Sequence, residues 1–212
     1  MMKRYGVDFY VWRQQLEQDW HQVIQRALKK EQLNGALEQF LDAVEQKLER
    51  KLTPHDSERI ACRAGCGTCC QVHVAVLQPE AENIAAYLKE NWTSEQLETL
   101  QQRMQKMLVR IEGLDEVERA AVSCSCVFLS DEGSCSIYPV RPLLCRSLTS
   151  TCSESCRQAL RMQALGESCQ VEMNLFQKEL FDTAYLALAS IWQRCGKDHR
   201  GYELTAAVSE AL

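Results

Sequence analysis

The chain has 212 residues, 46% of them apolar and 25% charged, which is the balance of an ordinary soluble globular protein long enough for one domain with its own core. A formal net charge of −5, with lysines and arginines scattered along the chain, argues against a basic nucleic-acid-binding surface. The abnormal number is twelve cysteines. No stretch approaches the roughly 18–20 apolar residues of a membrane span, and charges break the N-terminal stretch too often for a signal peptide. The expected location is therefore a reducing cytoplasm, where clustered cysteines serve metals or redox chemistry more often than structural disulfides.

In chain order, Phe9, Trp12, Leu16, Trp20, Val23 and Ala27 recur at helical spacing and predict a first amphipathic helix. Asn34-Gly35 is expected to interrupt or reorient the chain. Leu37, Phe40 or Leu41, Val44 and Leu48 then repeat the pattern until Thr53-Pro54, where a helix is expected to end. Val72, Val74 and Val76 alternate as in a short strand. Pro79 suits the start of a helix through about Leu88, and Thr93 with Gln96 has capping-box spacing for the helix that follows. Val127-Phe128-Leu129 and Ser136-Ile137-Tyr138 flank a polar turn and predict a hairpin, after which Pro139 and Pro142 break the ladder. Residues 171–194 carry another apolar face, and a terminal helix begins near Glu203. The fold class expected is mainly α with a small β-hairpin, its irregular cysteine-rich metal-binding loops packed among amphipathic helices. One domain is expected over 1–212: a helical segment at 1–55, a cysteine core at 62–146 and a helical segment at 150–212.

The cysteines fall into two blocks. Cys62, Cys66, Cys69 and Cys70 lie within CRAGCGTCC, and the Cys66-Gly-Thr-Cys69 turn lets two sulfurs face one metal. Side chains next to each other in sequence diverge, which gives Cys70 a second direction. Cys126, Cys135 and Cys145 form the second block, and the two blocks are expected to meet around metal. Seven cysteines are one short of two four-thiolate zinc sites; Cys124, Cys152, Cys156 or His73 can supply an eighth. One cubane iron–sulfur cluster needs four of them. The Cys62-x3-Cys66-x2-Cys69 spacing is also that of radical S-adenosylmethionine loops. Against that class stand the preceding helical segment, the lack of repeated βα units and Thr68 before the third cysteine. Four thiolates around Zn²⁺ leave a net charge of −2, for which Arg63, Arg141 and Arg146 are the nearby cations in sequence. Phe128, Ile137 and Tyr138 are expected to wall the site from water. Cys195 is expected to pack at the end of the long helix, with Cys169 as unassigned as Cys152 and Cys156.

The joint pattern of C-x3-C-x2-C-C and C-x-F-L-x3-G-x-C-x-I-Y-x3-R-P-x2-C-R resembles the YkgJ-type cysteine-cluster (CxxCxxCC) family. It is carried by the seven cysteines above together with Phe128, Leu129, Gly133, Ile137, Tyr138, Arg141, Pro142 and Arg146, and it spans about 62–146. Val127 departs from the proline expected there. The resemblance implies chelation of zinc or iron. Larger relatives resemble flagellin lysine methylases that use an iron–sulfur centre, but this chain shows no separate cosubstrate domain.

The metal ligands expected are thus Cys62, Cys66, Cys69, Cys70, Cys126, Cys135 and Cys145, holding an iron–sulfur cluster of the 4Fe-4S type or Zn²⁺. The function expected is metal handling or redox transfer. The alternatives are a non-enzymatic zinc-stapled scaffold offering its helices to a protein partner, and cluster-dependent methylation of protein lysines. Catalytic residues, and whether there is catalysis at all, stay open, and neither nucleic acid nor membrane is expected as a partner.

Overall fold

The structure is a computed structural model that describes residues 5–30, 32–114, 118–119, 122 and 124–212. Nine α-helices, two 3₁₀ segments and one two-stranded antiparallel sheet make up its regular structure among the described residues. No helix among them is long and apolar enough to cross a membrane.

Helix α1 (Phe9–Lys29) starts where the Asp8 carboxylate accepts from the Val11 N–H at 3.1 Å, satisfying a free first-turn donor. It buries Trp12, Leu16, Ile24 and Ala27, so Ile24 takes the core position expected of Val23. Before α2 (Leu33–Glu49) the Lys30 and Gln32 N–H groups both donate to the Ala27 carbonyl, ending α1. Asn34-Gly35 is therefore helical rather than a break. The apolar repeat Leu33, Ala36, Leu37, Phe40 runs straight through it, and that burial outweighs the local cost of a glycine. Thr53-Pro54 likewise opens a helix instead of closing one. The Thr53 hydroxyl and the Asp56 carboxylate exchange capping bonds with each other's backbone N–H, and Pro54 heads α3 (Pro54–Glu58).

Helix α4 (Gln78–Asn91) carries Pro79 in its first turn, and α5 (Ser94–Ile111) begins with the expected Thr93–Gln96 box. Pro142 precedes α6 (Leu143–Ser147), followed by α7 (Ser153–Ala164), α8 (Leu175–Arg194) and α9 (Leu204–Ala211). Helix α8 packs on α1, α2 and α6 around Phe40, Phe181 and Trp192. Helix α9 packs on α4 and α5 around Ile84, Leu88 and Met104, and Phe128 and Ile137 enter this second core from the cysteine-rich loop. Strands β1 (Ala75–Val76) and β2 (Tyr202–Glu203) pair Ala75 with Glu203 and Val76 with Tyr202, tying the exit of the first cysteine block to the entry of α9.

The hairpin expected across residues 127–138 closes at a single antiparallel bridge, Leu129 to Cys135. The Ser136 N–H donates to the Phe128 carbonyl at 2.8 Å, but Tyr138–Val140 then turns into a 3₁₀ segment, because Pro139 cannot continue a ladder.

Glu80 clamps α4 to α6. It is 3% exposed, and its two carboxylate oxygens accept from the Leu77 N–H (2.9 Å) and the Leu143 N–H (2.8 Å), joining the starts of α4 and α6. Burial pushes its carboxyl up to about 7 from the ordinary 4.5, against the opposing pull of those two N–H groups and of Arg146. A folded-state pKa above the unfolded one means that the folded protein holds the extra proton between them. This contribution to stability is full below about pH 4.5 and is lost as pH rises to about 7. Glu80→Gln is expected to remove that part of the pH slope. It should also lower stability throughout, because an amide offers one acceptor where two buried N–H groups need one each. Urea midpoints of both proteins at about pH 5 and about pH 7.5 check this; equal slopes with pH in the two proteins count against it.

Candidate metal centre

The two cysteine blocks meet. After α3 the chain runs extended, and the Ala61 N–H donates to the Ser150 carbonyl at 2.8 Å. One residue on, the Ser150 N–H returns to the Cys62 sulfur at 3.3 Å. Ser150 is itself buried and held by its hydroxyl, which donates to the Glu172 carbonyl at 2.7 Å. Cys66 follows a turn closed by its N–H on the Arg63 carbonyl, and Cys69 and Cys70 ride on the 3₁₀ turn Thr68–Gln71. The second block docks directly onto this turn: the Cys126 N–H donates to the Cys70 carbonyl at 2.7 Å.

Glycine makes that docking close. A Cβ on Gly133 would lie 2.8 Å from the Gly65 carbonyl oxygen, and one on Gly67 would lie 2.8 Å from a Leu129 methyl. The backbones of the two blocks thus touch where a side chain has no room.

A cavity of about 780 Å³ opens at this junction. All seven cysteines of the two blocks line it, joined by Cys124, His73, Arg63, Arg141 and Arg146. Cys152, Cys156, Cys169 and Cys195 do not. Cys152 caps α7, its N–H donating to the Ser150 hydroxyl at 3.0 Å, while Cys195 closes α8 and packs against the first core, as expected. Among the described residues, no three cysteine, histidine, aspartate or glutamate side chains are drawn together tightly enough to hold an ion. The thiols share one cavity, and closing them on a metal requires side-chain and loop adjustment.

The electrostatics suit a cation. The Cys69 thiol lies below its ordinary range, chiefly because Cys70 donates a hydrogen bond to its sulfur and secondly because of the Arg141 charge; Cys70 is pushed up as the donor of that pair. Burial raises Cys126 (to about 11), Cys135 and Cys145, so these three stay protonated until a cation displaces their protons. Soft thiols that are reluctant to ionise unaided, gathered with one neighbour that gives up its proton more readily, form a donor set that fits zinc or iron.

Arg141 is a cation that reaches three of the thiols. Its charge draws down Cys69, Cys135 and Cys145, its guanidinium donates to the Cys145 carbonyl, and it lies 5.2 Å over the Tyr138 ring. Arg146 is committed to structure, donating to the Arg141 and Pro139 carbonyls (2.7 and 3.0 Å) and pairing with Glu45 of α2. Phe128 and Ile137 are buried as expected. Tyr138 is 64% exposed and does not seal the site, because the 3₁₀ turn at Pro139 swings it outward under Arg141. Glu80 and Ser150 were not anticipated. The Leu77-to-Glu80 capping interval carried a readable signal for the first, whereas Ser150 has none, since its partner Cys62 is 88 residues away.

Residues 61–171, just over half of the chain, match the model of the CxxCxxCC family, described as a "Putative zinc- or iron-chelating domain". The chain belongs to that family. Neither a curated protein nor a solved structure matches it significantly.

Proposed function

We propose that the protein is an iron–sulfur protein whose cysteine cavity, formed by Cys62, Cys66, Cys69, Cys70, Cys126, Cys135 and Cys145, holds a cluster of the 4Fe-4S type for electron transfer or metal handling in a reducing cytoplasm. One observation carries this: seven thiols from two segments more than fifty residues apart line a single cavity beside a guanidinium. The buried Phe128 and Ile137 beside that cavity supply the apolar surround that tunes a cluster's potential, and the Ser150 N–H on the Cys62 sulfur is the kind of donor that stabilises a ligating thiolate. The second candidate is a zinc-stapled scaffold, favoured by the Cys66–Cys69 turn with Gly67 inside it, which accommodates zinc as readily.

Anaerobic purification, with assay of iron, sulfide and zinc and a visible spectrum, separates the two. A brown protein with matching iron and sulfide is expected. A colourless protein with stoichiometric zinc and no sulfide overturns the cluster in favour of the scaffold.

A further inference from the structure

Helix α2 lies outside the family-matched segment 61–171, yet its Glu45, Leu48 and Glu49 form part of the wall of the cysteine cavity. Glu45 has a specific partner there. It pairs with Arg146, which stands in the last turn of α6 beside Cys145. The Arg146 side chain is 11% exposed, and each of its three nitrogens has its own acceptor. Nε donates to the Arg141 carbonyl at 2.7 Å, Nη2 to the Pro139 carbonyl at 3.0 Å, and Nη1 to the Glu45 carboxylate. The Arg146 carbonyl accepts from the side chain of Gln177, in α8, at 3.0 Å. Arg146 thus clasps both ends of the strap 139–141 and ties it to α2 and α8 of the first core. The strap presents Arg141, whose guanidinium lines the cavity, donates to the Cys145 carbonyl and lies over the Tyr138 ring. No ion pair among the described residues involves Arg141. The charge of Arg146 is spent on Glu45, whereas that of Arg141 is left for the thiolates.

We propose that Glu45 and Arg146 are positioning residues for the metal centre: α2 holds Arg146, Arg146 holds the strap, and the strap aims Arg141 into the cysteine cavity, so that the N-terminal helices set how tightly metal is bound. This rests on the metal-chelating function above and gives the segment before the cysteine blocks a part in it. A metal held by several thiolates is anionic and needs a cation close by, and groups that orient such partners count for nearly as much as the ligands. The relay requires an arginine at its middle. Lysine carries the same charge, but one ammonium on a flexible stem cannot serve three acceptors held in a fixed fork. The competing route is direct: Arg146 stands near enough for its own charge to act on Cys135. The two routes differ in what lysine at position 146 does and in whether Arg146 still matters once Arg141 is gone.

The test titrates the full chain, reduced and stripped of metal, with Co²⁺, reading the affinity, the equivalents bound and the thiolate-to-cobalt and d–d absorbance. Arg141→Gln and Arg146→Lys are each expected to weaken Co²⁺ binding about 10–100-fold, and Glu45→Gln to weaken it in the same direction. The equivalents and the band positions should stay those of the wild type, because no sulfur is removed. In an Arg141→Gln background, Arg146→Lys and Glu45→Gln should weaken binding no further, since their route to the metal is already cut. Where Arg146→Lys does not fold, Glu45→Gln closes the same cycle, because its side chain is 42% exposed and the change keeps its shape. Losses that add in full in the double variants, full affinity in Arg146→Lys, or full affinity in Glu45→Gln each overturn the relay and leave metal chelation standing. A wild-type chain that binds no Co²⁺ overturns metal chelation itself, and the relay with it.

Discussion

Cys135→Ser is expected to empty the cysteine cavity and melt the second core while the first survives. Cys135 lines the cavity and also forms the single bridge to Leu129 that closes its loop. That loop has little regular structure of its own, and its contribution to packing is to insert Phe128 and Ile137 among α4, α5 and α9. If metal holds the loop, the metal's binding energy is folding energy, and structural metal sites contribute about 10–16 kcal/mol. Serine is nearly isosteric with cysteine but a poor ligand for soft metals, so the substitution removes the bond and little else. The two cores report separately. Trp12 and Trp192 sit in the first, and Trp92 packs against the second. The expected result is loss of metal, an early unfolding phase seen at Trp92, and a later one from the α1–α2–α8 core. Cys69→Ser should act in the same direction. Full metal content and an unchanged melting temperature in both variants would falsify the shared site.

The parts legible in the sequence are those where local pattern and burial agree. The apolar faces of α1, α5 and α8 and the Thr93–Gln96 box needed only the chemistry of neighbouring residues, and the structure repeats them with small shifts such as Ile24 for Val23. Asn34-Gly35 was misleading because a breaker acts on the backbone by about 1 kcal/mol, while the buried repeat through Leu37 and Phe40 is worth several times that. The convergence of the cysteine blocks was legible as an expectation, since two half-patterns with no core of their own make sense together. The way they converge was not: Gly65 against Gly133, the Cys126 N–H on the Cys70 carbonyl and the Ser150 N–H on the Cys62 sulfur are contacts between segments whose separation leaves no periodicity to read.

Gly133→Ala tests that convergence without touching a sulfur. Gly133 has φ of +77°, a conformation that costs an L-residue roughly 1–2 kcal/mol. Its added methyl would also sit 2.8 Å from the Gly65 carbonyl oxygen and 3.3 Å from the carbonyl carbon, both backbone atoms that cannot rotate aside. Overpacking of this kind adds on the order of 1–3 kcal/mol. Gly166 separates the two contributions, because it has nearly the same φ, +74°, with nothing within 4 Å of its would-be Cβ. Gly166→Ala is expected to lose only the conformational part, about 1–2 kcal/mol, with metal affinity unchanged. Gly133→Ala is expected to lose about 2–5 kcal/mol and to weaken metal binding as well, since separating the blocks moves Cys135 away from Cys69 and Cys70. Denaturant midpoints of the loaded proteins, paired with competition against a chromophoric chelator, measure both quantities. Equal losses in the two variants, with equal metal affinity, would mean that the contact between the two glycine backbones does not hold the cysteine blocks together.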